Sequence, residues 1–191
     1  RMGVAYDIVA SGFAEDLPHA DYATPAAYSA ATCLEKARSV LRATLADASK
    51  PAPSLIVSAD TIVECAGRIY EKPADRADAA RMLRELSGQA LDVVTAVALA
   101  FRVRVSDPPC AGDYEWLCFD DHTAMDMEVL DDAAIAAYLA AGQGMDHSAA
   151  LSYQGAAFLM VRGVRGCFYN LIGFPAARFY RELTAIAPRI V

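Results

Sequence analysis

Apolar and polar positions alternate between two periods along this chain. YDIVA, Tyr6 to Ala10, reads as a short strand, followed by a Gly/Asp/Pro-containing loop from Ser11 to Ala23. Thr24-Pro25 is an N-cap with proline at the first helical position, and it opens a long alanine-rich helix to about Ala46. Tyr28, Cys33 or Leu34, Val40, Leu41 and Leu45 recur at helical spacing and predict one buried face. Ser54 to Ala59 is a continuous apolar run, the pattern of a strand covered on both faces, and it is expected to end at Asp60-Thr61.

Ile62 to Glu64 and Arg68 to Tyr70 flank Cys65-Ala66-Gly67 and predict a hairpin. A helix is expected from Asp75 to Leu86, with acids in its first turn and Ser87-Gly88 as its stop. Asp92 to Val105 and Tyr114 to Val129 read as long strands joined by a Pro/Gly loop, hence an antiparallel pair. Asp131 to Ala141 reads as a helix ended by Gly142. Phe158 to Arg162 and Phe168 to Ile172 read as strands, and Pro175 opens a last helix to about Thr184. This order predicts one α/β domain spanning residues 1–191 with a mixed β-sheet flanked by helices.

Composition narrows the class. The 191 residues are 55% hydrophobic and 21% charged with mean hydropathy +0.23, enough apolar material for a core and too much for a disordered chain. The most apolar stretch, Val93 to Phe101, is shorter than the roughly 20 residues that cross a bilayer, so no membrane association is expected. No secretory signal is visible at the N-terminus. Cys33, Cys65, Cys110, Cys118 and Cys167 contain no CxxC pair and read as reduced thiols of a cytoplasmic protein. Net charge is −7 and no basic stripe is present, which argues against nucleic acid as a partner. Lysines are few: Lys36, Lys50 and Lys72. An acidic protein that handles an anionic ligand must gather such cations locally.

Candidate chemistry follows from that constraint. Asp60 ends an apolar strand, where α/β folds open a ligand crevice, although an acid there also caps turns. Lys72, in Glu71-Lys72-Pro73, follows a hairpin that folds back toward that edge; its ordinary reading is an exposed lysine. Glu15 and Asp16 could join Asp60 around Mg²⁺, which takes one or two carboxylates plus substrate phosphate oxygens, or could be solvated loop acids. GxSxG, HExxH and P-loop spacings are absent, and His19, His122 and His147 are scattered.

Taken together, SGFAEDL (Ser11 to Leu17), ATP (Ala23 to Pro25), SADTIV (Ser58 to Val63), GRIYEKP (Gly67 to Pro73), DAARMLRELSG (Asp78 to Gly88), DVVTAVAL (Asp92 to Leu99), YQG (Tyr153 to Gly155) and NLIGFP (Asn170 to Pro175) resemble the Maf-like nucleoside triphosphate pyrophosphatases. The resemblance implies an α/β fold with a central mixed sheet and a central cleft, and hydrolysis of a nucleoside triphosphate to the monophosphate and pyrophosphate with a divalent cation, Mg²⁺ or Mn²⁺, in a homodimer. It makes Asp60 and Glu15 the catalytic and metal-holding residues, and Lys36, Lys72, Gln154 and Thr61 substrate-binding ones. Gln154 looks like the subgroup acting on dTTP, UTP and modified pyrimidine nucleotides. A 7-methyl-GTP pyrophosphatase and a catalytically weak, nucleotide-binding regulator of cell division are the alternatives.

Three departures from the family pattern bear on activity. The family begins with a strand, a Ser-x-Ser-Pro-Arg-Arg loop and a helix, so the chain is expected to start after that unit. Asp146-His147-Ser148-Ala149 stands where the family usually has Asp-Lys-Ala-Gly, and histidine is the weaker phosphate partner at neutral pH. Gln143 replaces a usual glutamate.

Overall fold

The computed structural model describes residues 6–191. Helix α1 (Pro25–Ala46) starts as its sequence predicts: Thr24 is extended, and its hydroxyl accepts from Ala27 N with Pro25 at the first helical position. Strand β1 (Leu55–Cys65) and strand β2 (Arg68–Tyr70) form the predicted hairpin. Helix α2 (Arg76–Leu86) is capped by the Asp75 carboxylate, which accepts from Asp78 N. Strands β3 (Ala90–Arg102) and β4 (Tyr114–Met127) pair antiparallel, as expected of two long strands around a Pro/Gly loop. Helix α3 (Asp132–Ala140), strand β5 (Val161–Gly166), the short helix α4 (Phe168–Leu171) and helix α5 (Ala176–Ile186) complete the order.

The sheet runs β2-β1-β3-β4-β5. The central strand β3 is buried over nearly its whole length because helices cover both faces. Ala96, Ala98 and Ala100 turn toward α1, where they meet Cys33, Ala37 and Leu41; small side chains let the helix approach closely. The opposite face presents Val93 to Leu83, Leu86, Ile135 and Leu139 of α2 and α3, and Val97, Leu99 and Phe101 to Phe179 and Ile186 of α5. The class is α/β with helices flanking a sheet.

Five expectations change. All pairings among the described residues are antiparallel, so the mixed sheet read from the alternation of helices and strands is replaced by antiparallel neighbours. Tyr6 to Ala10 forms no strand and is exposed; strand-like alternation is not sufficient without a partner strand to supply the ladder. Phe168 to Ile172 is helical rather than extended, since Phe174 N bonds to Tyr169 O and the buried Asn170 side chain donates to Val93 O at 2.8 Å. Phe158 to Met160 is a 3₁₀ turn, and the strand begins only at Val161.

The fifth correction positions the site. β1 does not end at Asp60; it continues to Cys65, with Asp60 opposite Ala96 and Thr61 opposite Thr95 in mid-strand. β2 reaches only Val63 to Cys65, so the outer edge of β1 before Val63 carries no strand among the described residues. Side chains bond to carbonyls there. Cys33 Sγ donates to Ser58 O at 3.2 Å, Ser29 Oγ to Asp60 O at 2.8 Å and Ser148 Oγ to Thr61 O at 2.9 Å. Burial pushes the Cys33 thiol up to about 12, which keeps it a protonated donor.

Candidate active site

A cleft of about 500 Å³ opens over this uncovered edge of β1. It brings together the six residues to which the family resemblance gave roles: Glu15, Lys36, Asp60, Thr61, Lys72 and Gln154. Asp60 and Thr61 point to opposite faces of their strand, and only an open edge lets both reach one cavity. Tyr28, Thr32 and Lys36 follow one another at four-residue intervals along α1, so a single helical stripe forms one wall.

Lys36 is the electrostatic centre. Its Nζ lies 2.8 Å from Asp60 Oδ1 and 2.7 Å from Glu15 Oε2. The Lys36 and Asp60 side chains are 17% and 11% exposed against 54% for Glu15, so the first pair is the shielded one. Burial alone pulls the Lys36 ammonium down; the hydrogen bonds to Asp60 and Glu15 outweigh it and hold the group above the ordinary lysine range. Lys36 therefore stays a cation at neutral pH. Glu15 reaches it from a left-handed backbone at φ 55°, a conformation that costs a non-glycine residue about 1–2 kcal/mol and is met at functional sites.

A second hydrogen-bonded group stands farther along the same wall. The Tyr28 hydroxyl donates to Glu71 Oε1 at 2.6 Å, and His19 Nε2 is 3.3 Å from the same oxygen. The His19 and Tyr22 rings meet the buried Tyr28 ring edge-on, at centroid distances of 4.3 and 5.7 Å, which docks the loop carrying Glu15 onto α1. Burial and the adjacent Glu71 carboxylate raise the Tyr28 phenol, so it remains a donor.

The far wall is the loop from Asp146 to Gln154. Ala149 N donates to Glu71 O at 2.9 Å, tying that loop to the segment bearing Lys72. His147 lines the cleft, where the family resemblance expects lysine. Ala149, at the family's glycine position, holds φ 58° and ψ 18°, the conformation glycine adopts freely. Gln143 is absent from the lining. Its Oε1 accepts from Ala156 N at 2.6 Å and would sit 2.2 Å from a Cβ at Gly155, so it braces the turn that presents Gln154 and requires glycine there.

Beneath the cleft, Thr61 Oγ1 and Thr95 Oγ1 share a hydrogen bond of 2.9 Å, and Thr95 Oγ1 also donates to Asn170 O at 3.3 Å. Asp16 and Lys50 do not line the cleft. The residues that sequence reading missed are Tyr28, Thr32 and Glu71. Their signal was available in the i, i+4, i+8 spacing that ends at Lys36, and in the glutamate adjoining Lys72.

Among the described residues no three His, Cys, Asp or Glu side chains converge on a metal-binding point. Asp60 and Glu15 nevertheless direct hard oxygens at one shared cation, the Lys36 ammonium, and such a pair of carboxylates is the protein's usual share of a Mg²⁺ shell completed by water and phosphate. The donor set is of the kind that holds a hard divalent cation. No described helix is long and apolar enough to cross a membrane.

The antiparallel sheet, with helices on both faces, opens at one strand edge into a cleft of paired carboxylates and lysines, and the chain belongs to the Maf-like protein family, whose model matches residues 1–186. The dTTP/UTP pyrophosphatase of Geobacter sulfurreducens is 36% identical over 184 residues, 96% of this chain and 87% of that protein. That of Escherichia coli O157:H7 is 33% identical over 184 residues, covering 96% and 84%. A human protein described as a probable bifunctional dTTP/UTP pyrophosphatase/methyltransferase is 34% identical over 186 residues, and the chain spans only 29% of its length.

Proposed function

We propose that this chain is a nucleoside triphosphate pyrophosphatase that splits dTTP, UTP and modified pyrimidine triphosphates into the monophosphate and pyrophosphate. The observation that carries the reading is Lys36 gripped by both Asp60 and Glu15 in a cleft shared with Lys72 and Gln154. Relatives named dTTP/UTP pyrophosphatase support the substrate class.

Attack on the α-phosphorus needs an oriented, partly deprotonated water and neutralisation of the departing pyrophosphate. Asp60, shielded and fixed by Lys36, orients and accepts a proton from that water. Lys36 and Lys72 balance the charge that grows on the leaving group. Gln154, with one amide donor and one carbonyl acceptor, pairs with the edge of a pyrimidine. Thr61 supplies hydroxyl capacity beyond its bond to Thr95. A divalent cation held by Asp60 and Glu15 would polarise the scissile phosphate and neutralise the triphosphate.

The same reading takes residues 1–191 as one domain that assembles as a homodimer in the cytoplasm. The net charge of −7 supports an enzyme without nucleic-acid partners. Pyrophosphate release from dTTP, UTP, CTP, GTP and 7-methyl-GTP with Mg²⁺ or Mn²⁺ tests the proposal. Preferential release from dTTP and UTP is expected. A preference for 7-methyl-GTP overturns the specificity, and binding without release overturns the catalysis.

A further inference from the structure

We infer that Glu71 is a specificity-determining residue that accepts a hydrogen bond from the sugar 3′-hydroxyl of the bound nucleotide, with Tyr28 and His19 setting its orientation. The inference rests on the pyrophosphatase reading. Glu71 lines the same cleft as Lys36 and Lys72, and it is not one of the residues that the reaction above employs.

A carboxylate in a cleft that admits a triphosphate is a liability wherever phosphate sits, because like charges in a partly shielded site repel by several kcal/mol. Asp60 and Glu15 are offset by Lys36, whereas the Glu71 carboxylate meets Tyr28 and His19 and no lysine or arginine among the described residues, so it suits an uncharged part of the substrate. The α1 wall provides the scale. Tyr28, which holds Glu71, and Lys36 are eight residues apart on this stripe, about 12 Å of helix rise between their backbones. Glu71 thus stands at the Tyr28 end of this wall and the Lys36 cluster at the other, and the proposed hydrogen bond puts the nucleoside at the Tyr28 end.

Its chemistry fits a hydroxyl donor. Oε1 receives both the Tyr28 hydroxyl and the His19 contact, while Oε2 has no partner among the described residues and the side chain is half exposed. One oxygen anchors the carboxylate and the other is available. Burial and Glu71 itself keep the Tyr28 phenol protonated, so the anchor persists at neutral pH. A sugar hydroxyl present in both deoxyribo- and ribonucleotides supplies the donor; the base is left to Gln154.

The test compares kcat/KM for dTTP with that for 3′-deoxythymidine triphosphate in the wild-type chain, Glu71→Ala and Tyr28→Phe. A site built to bond a hydroxyl rejects the analogue lacking it, so the wild type is expected to favour dTTP by at least about tenfold. Glu71→Ala is expected to bring the two substrates within about twofold by losing activity on dTTP alone. A general loss of structure lowers both rates and leaves the ratio untouched. A wild-type ratio below about two, or an unchanged ratio in Glu71→Ala, overturns the inference. Should Glu71→Ala fold poorly, Tyr28→Phe decides, since it keeps the ring and frees the carboxylate; a ratio like the wild type's overturns the proposal. If the wild type releases no pyrophosphate from any nucleotide, the functional reading fails by itself. Glu71 is then judged by calorimetry with thymidine monophosphate and its 3′-deoxy analogue, where equal affinities overturn it.

Discussion

Lys36 Nζ bonds to Asp60 Oδ1 at 2.8 Å, joining the middle of a long helix to the middle of a sheet strand. The pair is largely shielded from water, so each charge depends on the other. Removing one partner from such a pair leaves an uncompensated charge, which costs about 3–5 kcal/mol when burial is complete and less here. Site and scaffold are coupled at this contact.

Asp60→Asn should keep the fold and lower pyrophosphate release at least about a hundredfold, since the amide is a poor base and a poor cation ligand. Circular dichroism checks the fold and a coupled pyrophosphate assay checks the rate. A loss below about tenfold would reduce Asp60 to a structural partner of Lys36.

Lys72→Ala should lower kcat/KM by at least about twentyfold and Lys50→Ala by less than about twofold. The two substitutions change net charge equally. Lys72 lines the cleft, whereas Lys50 is exposed and among the described residues pairs only with Asp47, at 3.9 Å. Equal effects would mean that the lysines act through the overall field and not by contact.

His122 makes folding stability depend on pH. Burial pulls its imidazolium down, but hydrogen bonds to Asp92 (2.6 Å) and Asp120 (2.9 Å) outweigh this and raise it above the ordinary histidine value. A group raised on folding stabilises fully below its unfolded value and loses that contribution as pH climbs through the folded value. His122→Gln should therefore cost more at pH 5.5 than at pH 9. The side chain is 49% exposed, so screening limits the difference to about 0.5–1 kcal/mol. Urea midpoints at the two pH values measure it, and identical costs would count against the ion pairs.

Ala66→Asn should stabilise the chain by about 0.5–1 kcal/mol. Ala66 and Gly67 form the two-residue turn between β1 and β2, with φ 50° and 83°. Such turns favour Asn-Gly because asparagine tolerates positive φ, and exposed Ala66 has no packing to lose. Thermal unfolding shows the gain; a lower melting temperature would contradict the strain argument.

Local physics was legible along the chain. Thr24-Pro25, Asp75 and the two-residue turn at Ala66-Gly67 determine element ends through short-range hydrogen bonds and backbone preference. The motifs carrying Glu15, Lys36, Asp60, Lys72 and Gln154 marked the residues of the cleft, and the resemblance marked their chemistry. Tertiary structure decided what depends on distant partners. Tyr6 to Ala10 has the alternation of a strand but no strand to pair with among the described residues, and Phe168 to Ile172 closes into a helical turn because Asn170 bonds into β3 and β4. Strand direction was also illegible, since a helix between two strands permits either return, and only the packed sheet fixes it as antiparallel. The Tyr28 ring reads from sequence as core because burial of an aromatic face is what periodicity records. That its hydroxyl holds Glu71, 43 residues away, follows only once α1 lies along the open edge of β1.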